Sequence, residues 1–568
     1  MWMNNRVRIS FLLLIGLLSL PGLVLGQNHD MHDMHHGHNM DASDDEWRMP
    51  PMDMSMPMMP GIENELPPVE PFLPGAGQMA NMLPEARPAE VVEMADGDTL
   101  DLEASLVRRT FNEQAFIMYG YNGMYPGPII KADQGATIVV NFTNNIEMPT
   151  TMHWHGLRLD NQYDGIPNVT QKPVEVGDSF TYKLYFEDAG VYWYHPHMRE
   201  DIQQDLGLYG NMLVKASAAD YYNPVHREET LILDDILIDD RGMIAWGANT
   251  ATHALMGRFG NVKLVNGQPD YRLRLSQGEV VRFNLTNVAN SRTFNLLFDG
   301  APIKLVASDV SRFEREAWVA SVPIAPAERY VVEVKFDKPG TYAFTNTIQA
   351  IDHFRGEFYP HVDTLGIITV SETAVDEALA SPFDVLREHT AVQEDINQYR
   401  AYFDKPVDKT LALTLAVKEL PVPIMLSMEA DSLYVPPIEW NDAMPMMNWL
   451  STGHQVEWIL KEPATGLKNM DIHWAFEKGD VIKLRIFNDP KTFHPMNHPF
   501  HIHGQRYLVL SIDGVPNQNL VWKDTALMPV GSTIDLLVDM SNPGDWMMHC
   551  HIAEHLEAGM MLHFSVAE

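Results

Sequence analysis

The chain holds 24 histidines in 568 residues, and outside the N-terminal tail eight of them fall in four His-x-His triplets: His153-Trp154-His155, His195-Pro196-His197, His501-Ile502-His503 and His549-Cys550-His551. Random placement would give roughly one such triplet. Alternate residues of a strand face the same side, so each triplet can present two imidazoles together. Eight nitrogen ligands are enough for a cluster of copper ions. Cys550 points away from His549 and His551 and therefore belongs to a different metal on the other side of the same strand. It is the sole cysteine, which excludes an intramolecular disulfide and a thiolate-only cluster. His498 precedes the third triplet, while His555 and Met560 follow Cys550 by five and ten residues. Two histidines, a thiolate and a weak axial methionine make a blue-copper electron-transfer centre. The bonds from Cys550 to its two neighbours would join that centre directly to the cluster.

These residues need rigid strands to hold them, and the sequence supplies a repeat of strand signals. Gly135-Ala-Thr-Ile-Val-Val-Asn-Phe-Thr-Asn144 matches Gly278-Glu-Val-Val-Arg-Phe-Asn-Leu-Thr-Asn287, with a third copy at Gly479-Asp-Val-Ile-Lys-Leu-Arg-Ile-Phe-Asn488. Each is followed by a second element, beginning at Gly190, Gly340 and Gly544. An all-β chain of three related sandwiches fits, over about 88–217, 226–373 and 411–568, with 374–410 as a partly helical connector. The triplets fall at equivalent places in the first and third copies. The second copy has Asn295-Leu-Leu-Phe-Asp299 and Phe344-Thr-Asn346 there. A metal cluster shared by the outer domains is therefore expected, with the middle domain as a spacer.

What precedes the sandwiches is of another kind. Residues 1–26 run from Arg6 and Arg8 through an apolar stretch to Gly26, the layout of a cleaved secretory signal. The mature chain is expected in the periplasm or secreted, with no membrane span. Residues 27–87 show almost no hydrophobic periodicity and are expected to be disordered. They carry His29, His32, His35, His36 and His38 among Met31, Met34, Met40, Met49, Met52, Met54, Met56, Met58 and Met59. Thioethers favour Cu(I), so this leader could capture extra copper ions. Acidic residues outnumber basic ones 76 to 40, a formal charge of -36 that argues against a nucleic-acid partner and draws in cations.

The segments His498-Pro-Phe-His-Ile-His-Gly504 and His549-Cys-His-Ile-Ala-Glu-His555 with Met560 resemble the multicopper oxidases, a likeness covering about residues 88–568. The resemblance implies three cupredoxin-like Greek-key domains and four copper ions. By motif position, His498, Cys550, His555 and axial Met560 would hold the type 1 copper, and His153 and His501 the type 2. The type 3 pair would take His155, His195 and His551 on one ion and His197, His503 and His549 on the other. In such enzymes single electrons leave a substrate at type 1, and the cluster uses four of them to reduce O2 to water. Asp164, nine residues beyond His155, matches the family's proton-relay acid. Several relatives place a second acid directly after the last type 1 histidine, whereas Leu556 stands here, leaving Glu554 and Glu557 as candidates.

Within the family, the leader and the segment Trp440-Asn-Asp-Ala-Met-Pro-Met-Met-Asn448, with Met425 and Met428, look most like bacterial copper-resistance oxidases. Met444, Met446 and Met447 could join them in a soft Cu(I) site, with Asp431, Glu439 or Asp442 accepting the charge. The expected reaction is oxidation of Cu(I) to Cu(II) at the expense of O2. Phenol oxidation of the laccase kind is the alternative, and copper sequestration without catalysis is a reading of a different class.

Overall fold

The computed structural model describes residues 72–111, 113–240, 242–352, 357–375, 381–418, 438–439 and 455–568. The signal, the His/Met-rich leader to residue 71 and the methionines between 425 and 447 lie outside the described residues.

The three sequence repeats become the same strand in three sandwiches. Thr137–Asn145, Glu279–Asn287 and Asp480–Asn488 each lie beside a parallel partner, in register Leu100↔Val140, Arg227↔Val281 and Lys409↔Leu484. On its other side each pairs antiparallel with a later strand, Ser179–Tyr185, Arg329–Phe336 or Thr533–Met540. Alternation of apolar and polar residues drives this. In Thr137–Asn145 the side chains of Ile138, Val140 and Phe142 are buried, while Thr137, Val139 and Asn141 are only partly covered.

A second sheet closes each sandwich, and the same parallel pairing recurs in all three: Ile129–Asp133 with Gly210–Lys215, Tyr271–Gln277 with Glu357–Ala374, and His473–Glu477 with Met561–Ala567. The two sheets of the middle unit share one core, where Leu231 and Phe283 from one meet Phe294, Phe344 and Leu273 from the other. Each such side chain contributes about 1.5–3 kcal/mol on burial. Trp154, Trp193, Trp458, Trp522 and Trp546 fill the other cores.

The antiparallel pair at the rim of each second sheet is where the repeat acquires function. His153 pairs with His195 and His501 with His549, five residues after Gly190 and Gly544, while five residues after Gly340 stands Thr345, paired with Leu297. Phe298 and Phe344 continue that middle pair into the core. Where the outer sandwiches turn imidazoles outward, the middle one has a leucine and a threonine, both partly buried.

One expectation is corrected. Residues 72–87, read as part of a disordered leader, are structured: Phe72 exchanges backbone hydrogen bonds with Trp246 at 2.8 and 3.1 Å. Arg108 N–H donates to the Pro84 carbonyl and Ala86 N–H to the Arg108 carbonyl, adding the segment to the strand Thr99–Phe111. A proline-rich stretch cannot pair with itself, but its extended backbone can complete the open edge of an existing sheet.

Candidate metal centre

The rims of the first and third sandwiches meet face to face. His155 stacks on His501 with ring centroids 3.8 Å apart, and His153 lies 4.1 Å from His503. Ligand atoms converge within 4.8 Å of one another in several groups: His155, His195 and His551; His197, His503 and His549; His153, His155 and His501. A separate group joins His498, Cys550 and His555. All of these side chains are buried. The structure thus brings the triplet histidines together, and the groups His155, His195 and His551 and His197, His503 and His549 each draw on both outer sandwiches.

Except in His551, the nitrogens not facing the centre already have partners. His153 Nδ1 donates to the Asp164 carbonyl at 2.8 Å, His195 Nδ1 to the Pro196 carbonyl at 2.8 Å, His501 Nδ1 to the Asp524 carbonyl at 2.9 Å and His549 Nδ1 to the Cys550 carbonyl at 2.9 Å. His503 Nδ1 meets Asp164 Oδ2 at 3.0 Å, and His197 Nδ1 lies 3.2 Å from Glu200 Oε1. His155 is reversed: its Nε2 lies 2.9 Å from Thr525 Oγ1 and 3.1 Å from Asp524 Oδ1. What remains is Nε2 of His153, His195, His197 and His501, Nδ1 of His155 and both ring nitrogens of His551, buried and without a hydrogen-bond partner. Buried polar atoms are seldom left unpaired. His503 Nε2 and His549 Nε2 face each other at 3.0 Å, two lone-pair positions on one point. A cation fits this inward-facing donor set.

Burial and crowding by neighbouring imidazoles hold the rings neutral. The values of His155, His195, His197, His501, His503 and His551 are driven far below the ordinary one, first by desolvation and then by one another. His549 falls to about 4, mainly through burial. Neutral imidazole is the metal-binding form.

On the far face of the strand, Cys550 Sγ lies 3.3 Å from His498 Nδ1 and 3.8 Å from His555 Nδ1. Burial pushes the thiol upward and lowers His498 to about 3. Met560 is fully buried in the same core, and its backbone carbonyl accepts from Cys550 N–H at 3.2 Å. The soft thiolate with two imidazoles is a donor set for copper. Trp458 stacks on His555 at 4.0 Å and donates its Nε1–H to the Ala254 carbonyl at 2.8 Å. That carbonyl belongs to the helix Thr250–Met256 of the middle sandwich, whose Leu255 and Met256 share a core with Cys550.

Asp164 is placed by a turn. Gly165 follows at φ +84°, and a Cβ there would stand 1.9 Å from the Met152 carbonyl, so only glycine fits. The carboxylate is buried and touches both outer sandwiches, His503 through Oδ2 and His153 at 3.3 Å through Oδ1. Of the other acids considered, Glu554 accepts from Ser291 Oγ–H at 3.0 Å and Asn290 Nδ2–H at 3.2 Å, and burial raises it to about 7. Glu557 is raised to about 7, by desolvation first. Glu200, which the sequence reading passed over, touches His197. Its only sequence signal is a place three residues after that histidine. Asp524, Thr525 and Arg329 were also missed, and no spacing relates any of them to a triplet.

Three sandwiches, with buried histidine groups shared by the first and third and one histidine–cysteine group in the third, present the donor set of a copper protein. Three family models, each described as multicopper oxidase, match residues 105–219, 212–363 and 441–568, and the chain belongs to that family. It is 25% identical to the multicopper oxidase mco of Staphylococcus aureus over 78% of this chain and 82% of that protein. It is 27% identical to Laccase-1 of Botryotinia fuckeliana over 79% and 78%. A similar fold is seen in the Campylobacter jejuni multicopper oxidase described as a metallo-oxidase, with TM-score 0.65 and 22% identity over 88% of this chain and 98% of that one. The laccase-like oxidase of Ochrobactrum sp., described as active on lignin model compounds, gives TM-score 0.63 and 22% identity over 85% and 100%. The chain is therefore an oxidoreductase of a copper-dependent family that uses O2 and a reductant.

Proposed function

We propose that the chain binds four copper ions and is an exported Cu(I) oxidase. Type 1 copper would sit on His498, Cys550, His555 and Met560, and type 2 on His153 and His501. The type 3 pair would sit on His155, His195 and His551 and on His197, His503 and His549. The inward-facing, unpaired nitrogens carry the ligand assignment. When bound, copper supplies one-electron acceptance at Cys550 and four-electron reduction of O2 to water at the histidines.

The chain's own residues do the rest. Cys550 is covalently continuous with His549 and His551, so one strand carries electrons between the two centres. Burial of every ring keeps bulk water out and strengthens the field of each fixed donor. Asp164 orients His153 and His503 and has a carboxylate oxygen, Oδ1, left to hold or pass a proton.

Cu(I) as the substrate is supported by the soft ligands of the leader and of residues 425–447. His498 and His555 are 1% and 0% exposed, so a bulky phenol has no direct contact with either ring edge. The laccase relatives favour phenols as the second reading. Oxygen uptake by the copper-loaded mature chain with Cu(I) or a methoxyphenol decides between them, repeated on a chain lacking residues 27–71. A Cu(I) preference that weakens without the leader supports the cuprous oxidase. Fast phenol turnover unaffected by the truncation moves the assignment to a laccase. Copper binding that survives Cys550→Ser with negligible O2 uptake in the parent chain points to sequestration.

A further inference from the structure

The middle sandwich has no histidine at the repeated positions, yet one of its arginines reaches the cluster. Arg329 opens the strand Arg329–Phe336 and is completely buried. Its Nη1 donates to Asp524 Oδ1 at 2.6 Å while Nη2 meets Oδ2, and its Nε donates to the Val191 carbonyl at 2.9 Å. One guanidinium thus bonds the first and third sandwiches from the second. Asp309, also in the middle sandwich, accepts from Arg329 N–H at 2.9 Å and holds Lys523 Nζ at 3.1 Å. The segment Lys523-Asp524-Thr525 is gripped on both sides.

Asp524 and Thr525 then act on two histidines. The Asp524 carbonyl accepts from His501 Nδ1–H at 2.9 Å. Thr525 O–H donates to Asp524 Oδ1 at 2.8 Å, which leaves its oxygen to accept from His155 Nε2–H at 2.9 Å. That pair of bonds turns His155 round, so that its Nδ1 and not its Nε2 is left unpaired toward the cluster. The carboxylate could not act this way if it were free to swing. A bidentate fork removes both its rotation and its need for water. Gly156, directly after His155, is shaped to the fork: a Cβ there would lie 2.5 Å from Asp524 Oδ2 and 2.6 Å from Arg329 Nη2.

We propose that Arg329 is a positioning residue for the cluster, fixing the tautomer and ring plane of His155 and His501 through Asp524 and Thr525. The inference rests on the reading that His155 and His501 hold copper. Partners of this sort, one bond removed from a ligand, are worth about 10–100-fold in metal affinity.

The test compares Arg329→Met and Arg329→Lys with Arg258→Met, which breaks another buried pair between sandwiches, Arg258 with Asp205 at 2.7 Å. Copper per chain, the type 2 electron paramagnetic resonance signal, the blue thiolate band and the Tm of the apoprotein are measured. Arg329→Met should lose at least half of the type 2 signal while keeping the blue band, and Arg329→Lys should recover part of it. Arg258→Met should lower Tm with the type 2 signal unchanged. If Arg329→Met does not fold, Thr525→Val removes the hydroxyl that lies 2.9 Å from His155 Nε2 and 3.1 Å from His501 Nδ1, and should show the same selective loss. Equal Tm losses with wild-type copper content and type 2 signal in every variant would reduce Arg329 to a structural tie and overturn the proposal. A wild-type chain with the blue band but no type 2 signal would overturn the ligand assignment, and this inference with it.

Discussion

Cys550 stands between two imidazoles that face one way while its sulfur faces the other, and its replacement separates the two centres. Cys550→Ser should remove the blue band and one copper per chain, leave the histidine coppers in place and reduce O2 uptake to background, as absorbance and metal analysis would show. Asp164→Asn keeps the shape and the acceptor toward His503 but removes the ionisable oxygen. Turnover should fall about 10²-fold or more with copper content unchanged, in line with the usual contribution of a placed acid or base. The histidines also set a pH dependence in the apoprotein. His498 titrates at about 3 and His549 at about 4 in the fold, against about 6.5 in an unfolded chain. Between those values the unfolded chain binds more protons, so stability is full above about 6.5 and is lost as pH falls toward 3. Thermal melts of the copper-free chain should therefore show Tm dropping steadily below pH 6.5, and a flat profile would count against the buried neutral rings.

At the scale of elements, a rim strand with period two aims two imidazoles from one triplet, and turns place what strands cannot. Gly165→Ala would force the Met152 carbonyl away and shift Asp164 between its two histidines. The expected result is a lower Tm and a loss of turnover with the blue band intact, since Cys550 lies in another sandwich. The edge segment 72–87 gives a second prediction. Removing residues 27–71 should leave Tm within about 2 °C of the mature chain. Removing 27–87 should lower it by several degrees, because the Phe72 and Ala86 backbone bonds and the ring contact of Phe72 with Trp246 are lost. Equal Tm for the two truncations would show that the segment adds nothing.

For the molecule as a whole, copper bound as proposed would act as a staple. The groups His155, His195 and His551 and His197, His503 and His549 each take side chains from the first and third sandwiches, so metal bound there would stabilise the arrangement of domains as well as the site. Ligand at about 1,000 times its Kd adds about 4 kcal/mol to the native state. Copper removal by a chelator should therefore lower the Tm of the wild-type chain by several degrees. It should lower that of a chain with both His153 and His503 changed to alanine by much less, measured by calorimetry. Among the described residues no helix is long and apolar enough to cross a membrane.

The sequence by itself determined the strands, the threefold repeat and the identity of the histidines and Cys550. Spacing of two along a strand, and a positional match between repeats, are local properties that a linear string preserves. It also pointed to Asp164, through the likeness of its position to the relay acid of the multicopper oxidases. It did not reveal the pairing of residues 72–87 with Trp246 and Arg108, because an open sheet edge is created only when the sheet exists. Nor did it reveal Glu200, Asp524, Thr525 or Arg329. Arg329 lies 174 residues after His155 and 195 before Asp524. No periodicity connects residues that far apart in three separate repeats. Burial decides their roles: only when the three sandwiches close on one another do a lone arginine and a lone aspartate lose their water and take each other, and two histidines, as partners.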